Sequence, residues 1–273
     1  MEVLGHAAAF ASATGNRLHL FRVLDPLLDV EMGTEPPSDA IASVVTRWQA
    51  EMAAHLAETG LAGETSVRVL RSGQKVHGEI CQAASELEAD MIALSSHGAG
   101  LIRHAVLGSV AMGVVGTSDL PLLVAGPKAG DPPVPGHAYR VLIASDGSEA
   151  SASILAVVAK LPGIERLTLT LARVYEPQLG DRGDKRELTG AVSELKELAK
   201  TLPPGAPTET IVDQLREFER VDHAIIRLAE QAGTQAIAMA THGYTRARHV
   251  FAGSVTLGAL QHSTLPLIIA RSS

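Results

Sequence analysis

The chain is poor in the residues that staple a fold or coat a polyanion. Among 273 residues there is one cysteine, Cys81, which excludes an internal disulfide framework and any zinc site built from several thiolates. Aromatic residues amount to 3%, so a core has to be assembled from Ala, Val, Leu and Ile. There is no basic excess: 23 Lys and Arg stand against 30 Asp and Glu, a formal charge of −7. That balance offers no broad electrostatic footprint for a phosphate backbone, which argues against a nucleic-acid binder. No uncharged apolar run reaches the 18 residues needed to span a bilayer. The stretch Leu4 to Ala13, ending in Ala11-Ser12-Ala13, imitates a secretory leader. It follows Glu2, however, has no Lys or Arg before Arg17 and is broken by His6, so it reads as part of the folded chain. A cytoplasmic protein without a membrane or nucleic-acid partner is the expectation.

Apolar residues make up 46% and charged residues 19%, enough for a packed core and too apolar for disorder. The length allows one large domain or two of about 135 residues, and an internal repeat decides for two. The segment from Ser95, SSHGAGLIRHAVLGSVAMGVVGTSDLPLLVAG, lies over that from Ala240, ATHGYTRARHVFAGSVTLGALQHSTLPLIIAR. His97/His242, Gly98/Gly243, Arg103/Arg248, His104/His249, Gly108/Gly253, Ser109/Ser254 and Pro121/Pro266 are each 145 residues apart. Earlier in each half, Leu18 to Pro26 matches Leu169 to Pro177 at an offset of 151.

The Pro- and Gly-dense run Gly126 to Gly136 is a linker by composition. This divides the chain into a first unit over 1–127, a linker over 128–138 and a second unit over 139–273. In the second unit the pattern predicts strands at 140–145, 167–174, 208–213, 235–240 and 266–270, with helices at 149–160, 185–201, 219–232 and 254–261. Strands such as Ala236 to Ala240 are continuous apolar runs, as expected where helices cover both faces of a parallel sheet. The fold class is α/β: two tandem doubly wound parallel-sheet domains, Rossmann-like or flavodoxin-like. At the 151 offset Met1 corresponds to Ala152, so the first unit lacks a counterpart of Val141 to Ser148 and with it its first strand. In such a sheet that strand is central, and its loss leaves backbone groups unpaired at about 1–3 kcal/mol each. The expectation is that the natural chain starts upstream, the rival being a degenerate first domain.

The strongest constellation follows the fourth strand. In the second unit it is Ala240-Thr241-His242-Gly243, nine residues, then Gly253-Ser254 opening a helix; in the first it is Ser95-Ser96-His97-Gly98, nine residues, then Gly108-Ser109. A glycine at a strand end lets backbone approach a ligand. A Gly-Ser pair at a helix N-terminus offers free amides, a hydroxyl and the positive end of the dipole, which suits phosphate. The same residues also satisfy a helix cap and a turn. Asp146-Gly147-Ser148 likewise serves either a ligand or a turn with an N-cap.

The Gly-x₂-Gly-x₉-Gly-Ser pattern, a first strand ending in Asp-Gly-Ser and a closing Leu-Pro-Leu-Ile-Ile strand together resemble the universal stress protein family, in a tandem two-domain form. The resemblance covers both halves apart from the linker and the absent opening. It implies binding of ATP or AMP, with Mg²⁺ as the accompanying ion. In the second unit it implies Asp146 and Val174 at the adenine, and Ala240, His242, Gly243, Gly253, Ser254 and Val255 along the loop for ribose and phosphates. In the first unit Ser95, His97, Gly98, Gly108, Ser109 and Val110 match, with Val23 near the base and no adenine-side Asp. The sequence departs from the family where the first motif glycine is Ser95 in one copy and Ala240 in the other, and a Cβ there narrows the space at the ribose.

Arg246 and the repeated pairs Arg103-His104 and Arg248-His249 offer cations to a phosphate, or are solvated loop residues. No metal site is read, since His97 and His242 have no partner at ligand spacing. Cys81 reads as a small buried hydrophobe, and Trp48 packs with Val44 and Val45. The run Lys185 to Lys200 forms a helix with Leu188, Val192, Leu195, Leu198 and Ala199 on one side. No nucleophile–base pair or carboxylate dyad emerges. The resemblance implies a nucleotide-binding stress-response regulator without strong catalysis, its domains paired through their last strands and the chain able to form a homodimer. A ligand-free interaction scaffold and an ATP-using enzyme of the same fold are the alternatives.

Overall fold

The computed structural model describes residues 2–30, 37–96, 107–175, 185–241 and 253–271. In chain order the first half carries α1 (Glu2–Thr14), β1 (Leu18–Leu24), α2 (Pro26–Asp29), α3 (Ser38–Glu58), β2 (Gly63–Val69), α4 (Val76–Glu86), β3 (Ile92–Ser95), α5 (Ser109–Thr117) and β4 (Leu122–Ala125). The second half carries β5 (Arg140–Ala144), α6 (Glu149–Val158), β6 (Thr168–Tyr175), α7 (Lys185–Ala199), β7 (Thr208–Gln214), α8 (Val221–Gln231), β8 (Ala236–Ala240), α9 (Ser254–His262) and β9 (Leu267–Ala270).

The second half is the five-stranded doubly wound unit the alternation predicts. Its strands run β9-β8-β5-β6-β7, all parallel. Alternate residues of each strand feed two cores, as the period of two requires. Val141, Ile143, Leu169, Leu171, Ala236 and Ala238 pack with Ile154, Leu155 and Val158 of α6 on one face. Leu142, Ile237, Met239, Leu267 and Ile269 pack with Ile225, Ile226, Leu228 and Ala229 of α8 and Ala259 and Leu260 of α9 on the other. Element ends shift by one or two residues for local reasons. The eighth helix begins at Val221 with Arg220 as its N-cap, and α7 stops at Ala199, shortly before Pro203-Pro204. Leu195 is the buried anchor of α7, while Leu188 is exposed, so the apolar stripe is narrower than expected.

The two halves join through their final strands. Antiparallel pairing of β4 with β9 sets Leu122 opposite Ile269, Leu123 opposite Ile268 and Val124 opposite Leu267, so one sheet of seven strands, β3-β4-β9-β8-β5-β6-β7, crosses the seam. The first half departs from its twin where β5 has no counterpart among the described residues. The first strand, β1, pairs only with β2, in a separate parallel two-stranded sheet. Side chains record the difference: Leu169 and Leu171 of β6 are fully buried, whereas the matching Leu18 and Leu20 of β1 are half-buried. The small core under β1 is Leu24, Val30 and Trp48, with Val44 and Val45 packed against it. The Arg22 guanidinium lies 3.4 Å over the Trp48 ring. Cys81 is half-buried against the main core, and burial, with Asp119 nearby, pushes its thiol pKa up.

The first helix, α1, packs on β3 and β4 of its own half and also binds the second half. Phe10 meets Tyr139 edge to face at 5.5 Å, the Asn16 amide donates to the Pro162 carbonyl, and Gly163, with φ at +76°, leaves room for the Thr14 carbonyl that a Cβ would strike. The linker is tied down by the Gly130 amide donating to the Thr264 carbonyl.

Candidate functional site

In the second unit the chain runs from β5 to β6 and β7 on one side and to β8 and β9 on the other, so a crevice opens at the carboxyl ends of β5 and β8, where the strand order reverses. Asp146 follows β5 and Val174 is near the end of β6, in register with Asp213 of β7. Ala240 ends β8, and Gly253, Ser254 and Val255 form the mouth of α9. These six residues therefore stand along one edge of one sheet.

The mouth is held by backbone. Gly253 donates its amide to the Thr241 carbonyl, and Thr241 donates its own to the carbonyl of Ala270 at 3.0 Å. The N-cap of α9 is Gly253, which has no side-chain capping bond, so the first turn keeps amides for another acceptor. Ser254 is exposed and Val255 half-buried. Ala240 is 9% exposed and belongs to the core on the α6 face. Its methyl is thus directed into packing rather than standing free at the mouth. The Ala240 carbonyl accepts from Thr256 Oγ1 at 2.8 Å, which clips α9 to the end of β8.

Across the crevice, Asp146 makes a turn of its own. Its Oδ1 accepts from the Ser148 amide at 2.9 Å and the Ser148 hydroxyl at 2.6 Å, while Ser148 caps α6 by accepting from the Ser151 amide at 3.1 Å. Gly147 sits between them with φ at +82°, a left-handed position that favours glycine. The Arg173 guanidinium lies about where a Gly147 side chain would extend and is anchored by Glu194 of α7. A cation therefore stands beside the Asp146 turn.

The first unit does not repeat this arrangement. Ser95 ends β3, and the Gly108 amide donates to the Ser96 carbonyl at 2.6 Å. Gly108, like Gly253, caps its helix without a side-chain bond, and Ser109 and Val110 are exposed. Val23, however, is on β1, in the other sheet. The two sides of the first-unit set are thus carried by separate sheets, with no β5 equivalent between them among the described residues. His97, Gly98, Arg103, His104, His242, Gly243, Arg246, Arg248 and His249 lie outside the described residues.

Two residues at this site were not singled out from the sequence. Thr256 is an ordinary third residue of a helix until its partner at Ala240 is seen. Arg173 carried a signal, because it recurs with Arg22 at the 151 offset that aligns Leu18 to Pro26 with Leu169 to Pro177.

The sequence model of the universal stress protein family matches residues 1–126 and again 138–271. Two curated relatives, universal stress proteins Mb2028c of Mycobacterium bovis and Rv2005c of Mycobacterium tuberculosis, are each 26% identical over 193 residues, which is 68% of this chain and 63% of theirs. The alignment therefore spans less than two thirds of those proteins. A universal stress protein from Archaeoglobus fulgidus shares the fold over all of this chain and 92% of its own, at 19% identity and a TM-score of 0.66. One from Pseudomonas aeruginosa does so over 98% and 87%, at 15% identity and a TM-score of 0.61. Among the described residues no helix is long and apolar enough to cross a membrane. With a double match to one family and two halves joined as twins, this chain belongs to the universal stress protein family, as a tandem with two such units in one polypeptide.

Proposed function

We propose that the second unit binds an adenine nucleotide, ATP or AMP, and that the chain acts in stress response as a regulator or adaptor whose output is a change of conformation or assembly. The observation that carries this reading is the uncapped mouth of α9 at the strand-order switch. Backbone amides at Ser254 and Val255 suit the phosphates, with the Asp146 turn and Arg173 on the opposite wall. Family membership supports the same ligand class. Val174 and Asp146 are the residues assigned to the base, and Gly243, Gly253, Ser254 and Val255 those assigned to ribose and phosphate. His242 and Arg246 belong to the same loop, and Mg²⁺ accompanies ATP. The proposal is confined to the second unit, because Val23 and Ser95 of the first lie on separate sheets. Regulation rather than turnover follows from the sequence, in which no nucleophile–base pair emerges.

Calorimetric titration of the whole chain with ATP, ADP and AMP tests the reading. The expected result is one site per chain, abolished in Gly243→Val and weakened at least about tenfold in Asp146→Ala, about 1.4 kcal/mol. An absence of heat with all three nucleotides at high micromolar concentration overturns it in favour of a ligand-free scaffold, a role consistent with Asp146 already spending Oδ1 on its own turn. Rapid phosphate release with a cosubstrate would instead make the protein an enzyme.

A further inference from the structure

Away from the crevice, where α8 packs on α9, two adjacent side chains meet a third that lies 40 residues further along the chain. Asp222 is in the first turn of α8, His223 follows it, and His262 is the last residue of α9. The Asp222 side chain is buried, its Oδ1 held by Arg220 Nε at 2.9 Å. Its Oδ2 faces the two imidazoles, 3.4 Å from His262 Nδ1 and 3.9 Å from His223 Nε2. The rings meet edge to face with centroids 4.9 Å apart, and one ligand atom from each of the three residues lies within 4.8 Å of the others. We propose that Asp222, His223 and His262 form a binding site for a divalent transition-metal ion of the zinc class, at the α8–α9 seam of the second unit.

Two nitrogens and one carboxylate oxygen are a ligand set suited to such an ion, and tetrahedral bonds of about 2.0 Å place ligand atoms about 3.3 Å apart. The Asp222–His262 pair already has that spacing. The third ligand requires only rotation of His223, whose side chain is half exposed. Arg220, by holding Oδ1, fixes which oxygen is presented. The C-terminal end of α9, where His262 sits, is the end of a helix that favours positive charge. Gly258 makes the seam possible, because a Cβ there would strike Asp222 Oδ2. A fourth position opens toward a shallow hollow of about 290 Å³ lined by Lys128, His223, Ile226, Arg227, Glu230 and His262, with space for a water or small ligand. The first unit has His77, Gly78 and Thr117 at the corresponding positions, so the site belongs to the second unit alone.

The test is titration of the metal-stripped whole chain with Co²⁺, read by its visible ligand-field absorption and by competition with a chromophoric chelator. Nucleotide is left out, so the outcome is independent of the nucleotide reading. One tetrahedral Co²⁺ per chain, displaced by Zn²⁺, is expected. Affinity should fall at least about tenfold in both His223→Asn and His262→Asn. These two side chains are partly exposed, so the variants test ligation without emptying the core, and far-UV circular dichroism checks that each is folded. A wild-type chain with no tetrahedral band, or variants that bind Co²⁺ as the wild type does, would overturn the proposal.

Discussion

His6 shows how much a single side chain can couple this fold to acid. It is 2% exposed on α1, and its Nε2 donates to the Gly130 carbonyl at 3.1 Å, which leaves Nδ1 as the acceptor. Among the described residues Nδ1 has no partner. Burial therefore lowers its pKa, and the Gly130 bond offsets only part of that. The neutral form is the one that folds. The unfolded chain takes up a proton near the ordinary value of 6.5 while the folded chain resists, so stability contributed by neutral His6 is present above that pH and is lost as pH falls below it. His6→Met removes the titration. Denaturant unfolding at about pH 7.5 and about pH 5.5 should show a smaller loss of stability in the variant than in the wild type. Equal losses would mean that His6 is not the group responsible. Protonation at this position also strikes the junction between units, since Gly130 is itself bonded to Thr264.

At the scale of elements, the connection from β7 into α8 depends on one arginine. Arg227 donates to Asp213 Oδ2 at 2.6 Å and grips Glu219 through two bonds, Nε to Oε1 at 2.8 Å and Nη2 to Oε2 at 2.9 Å. This fork ties the end of β7 and the turn before α8 to the helix itself. It also holds Glu219 at about 2, with the Arg227 hydrogen bonds as the main cause. The fork's contribution is therefore complete above about 4.5 and is lost as pH falls toward about 2. Arg227→Met should cost about 1–3 kcal/mol near neutral pH, and the gap between wild type and variant should narrow in acid. A gap that stays constant across an acid denaturation series would show that the ion pairs contribute nothing. None of this network was legible in the sequence, because Asp213, Glu219 and Arg227 become neighbours only when α8 turns back along β7. The strands and longer helices were legible for the opposite reason: Ala236 to Ala240 is one apolar run, and Asp146-Gly147-Ser148 announces a turn and a cap by local chemistry. The short helix α2 escaped notice although Asp25 caps it and Pro26 opens it, since four residues carry no period. At the candidate site Gly253-Ser254 and Asp146 were readable as motifs. The inward set of Ala240, the clip from Thr256 and the convergence of Asp222, His223 and His262 depend on helix packing.

For the whole molecule the governing contrast, among the described residues, is that β5 stands at the centre of the second unit and has no counterpart in the first. In the second unit β5 lies between β6 and β8 and hydrogen-bonds to both. In the first, β1 and β3 are the corresponding neighbours and belong to different sheets. Each is left with an unpaired edge where its twin has a partner, and β1 loses burial on its leucines. The sequence offset leaves β5 (Arg140–Ala144) without a counterpart among the described residues of the first unit. It did not foretell that the sheet would split while β3 and β4 stayed continuous with the second unit, held by the antiparallel β4–β9 pairing. If the split results from the lack of a β5 counterpart, supplying a strand should close it. Placing a second copy of residues 138–151 ahead of Met1 keeps the repeat in phase, because Met1 aligns with Ala152. The graft should pair with β1 on one side and β3 on the other, joining the two-stranded and seven-stranded sheets. Amides of β1 and β3 should then exchange more slowly, and the melting temperature should rise by about 2–4 °C per kcal/mol gained. A Gly/Ser extension of equal length is the control, since it adds chain without apolar side chains to pack. If exchange at β1 and β3 is the same with either extension, the split has another cause, and the first unit is a two-sheet fold stabilised by α1, α3 and the β4–β9 seam.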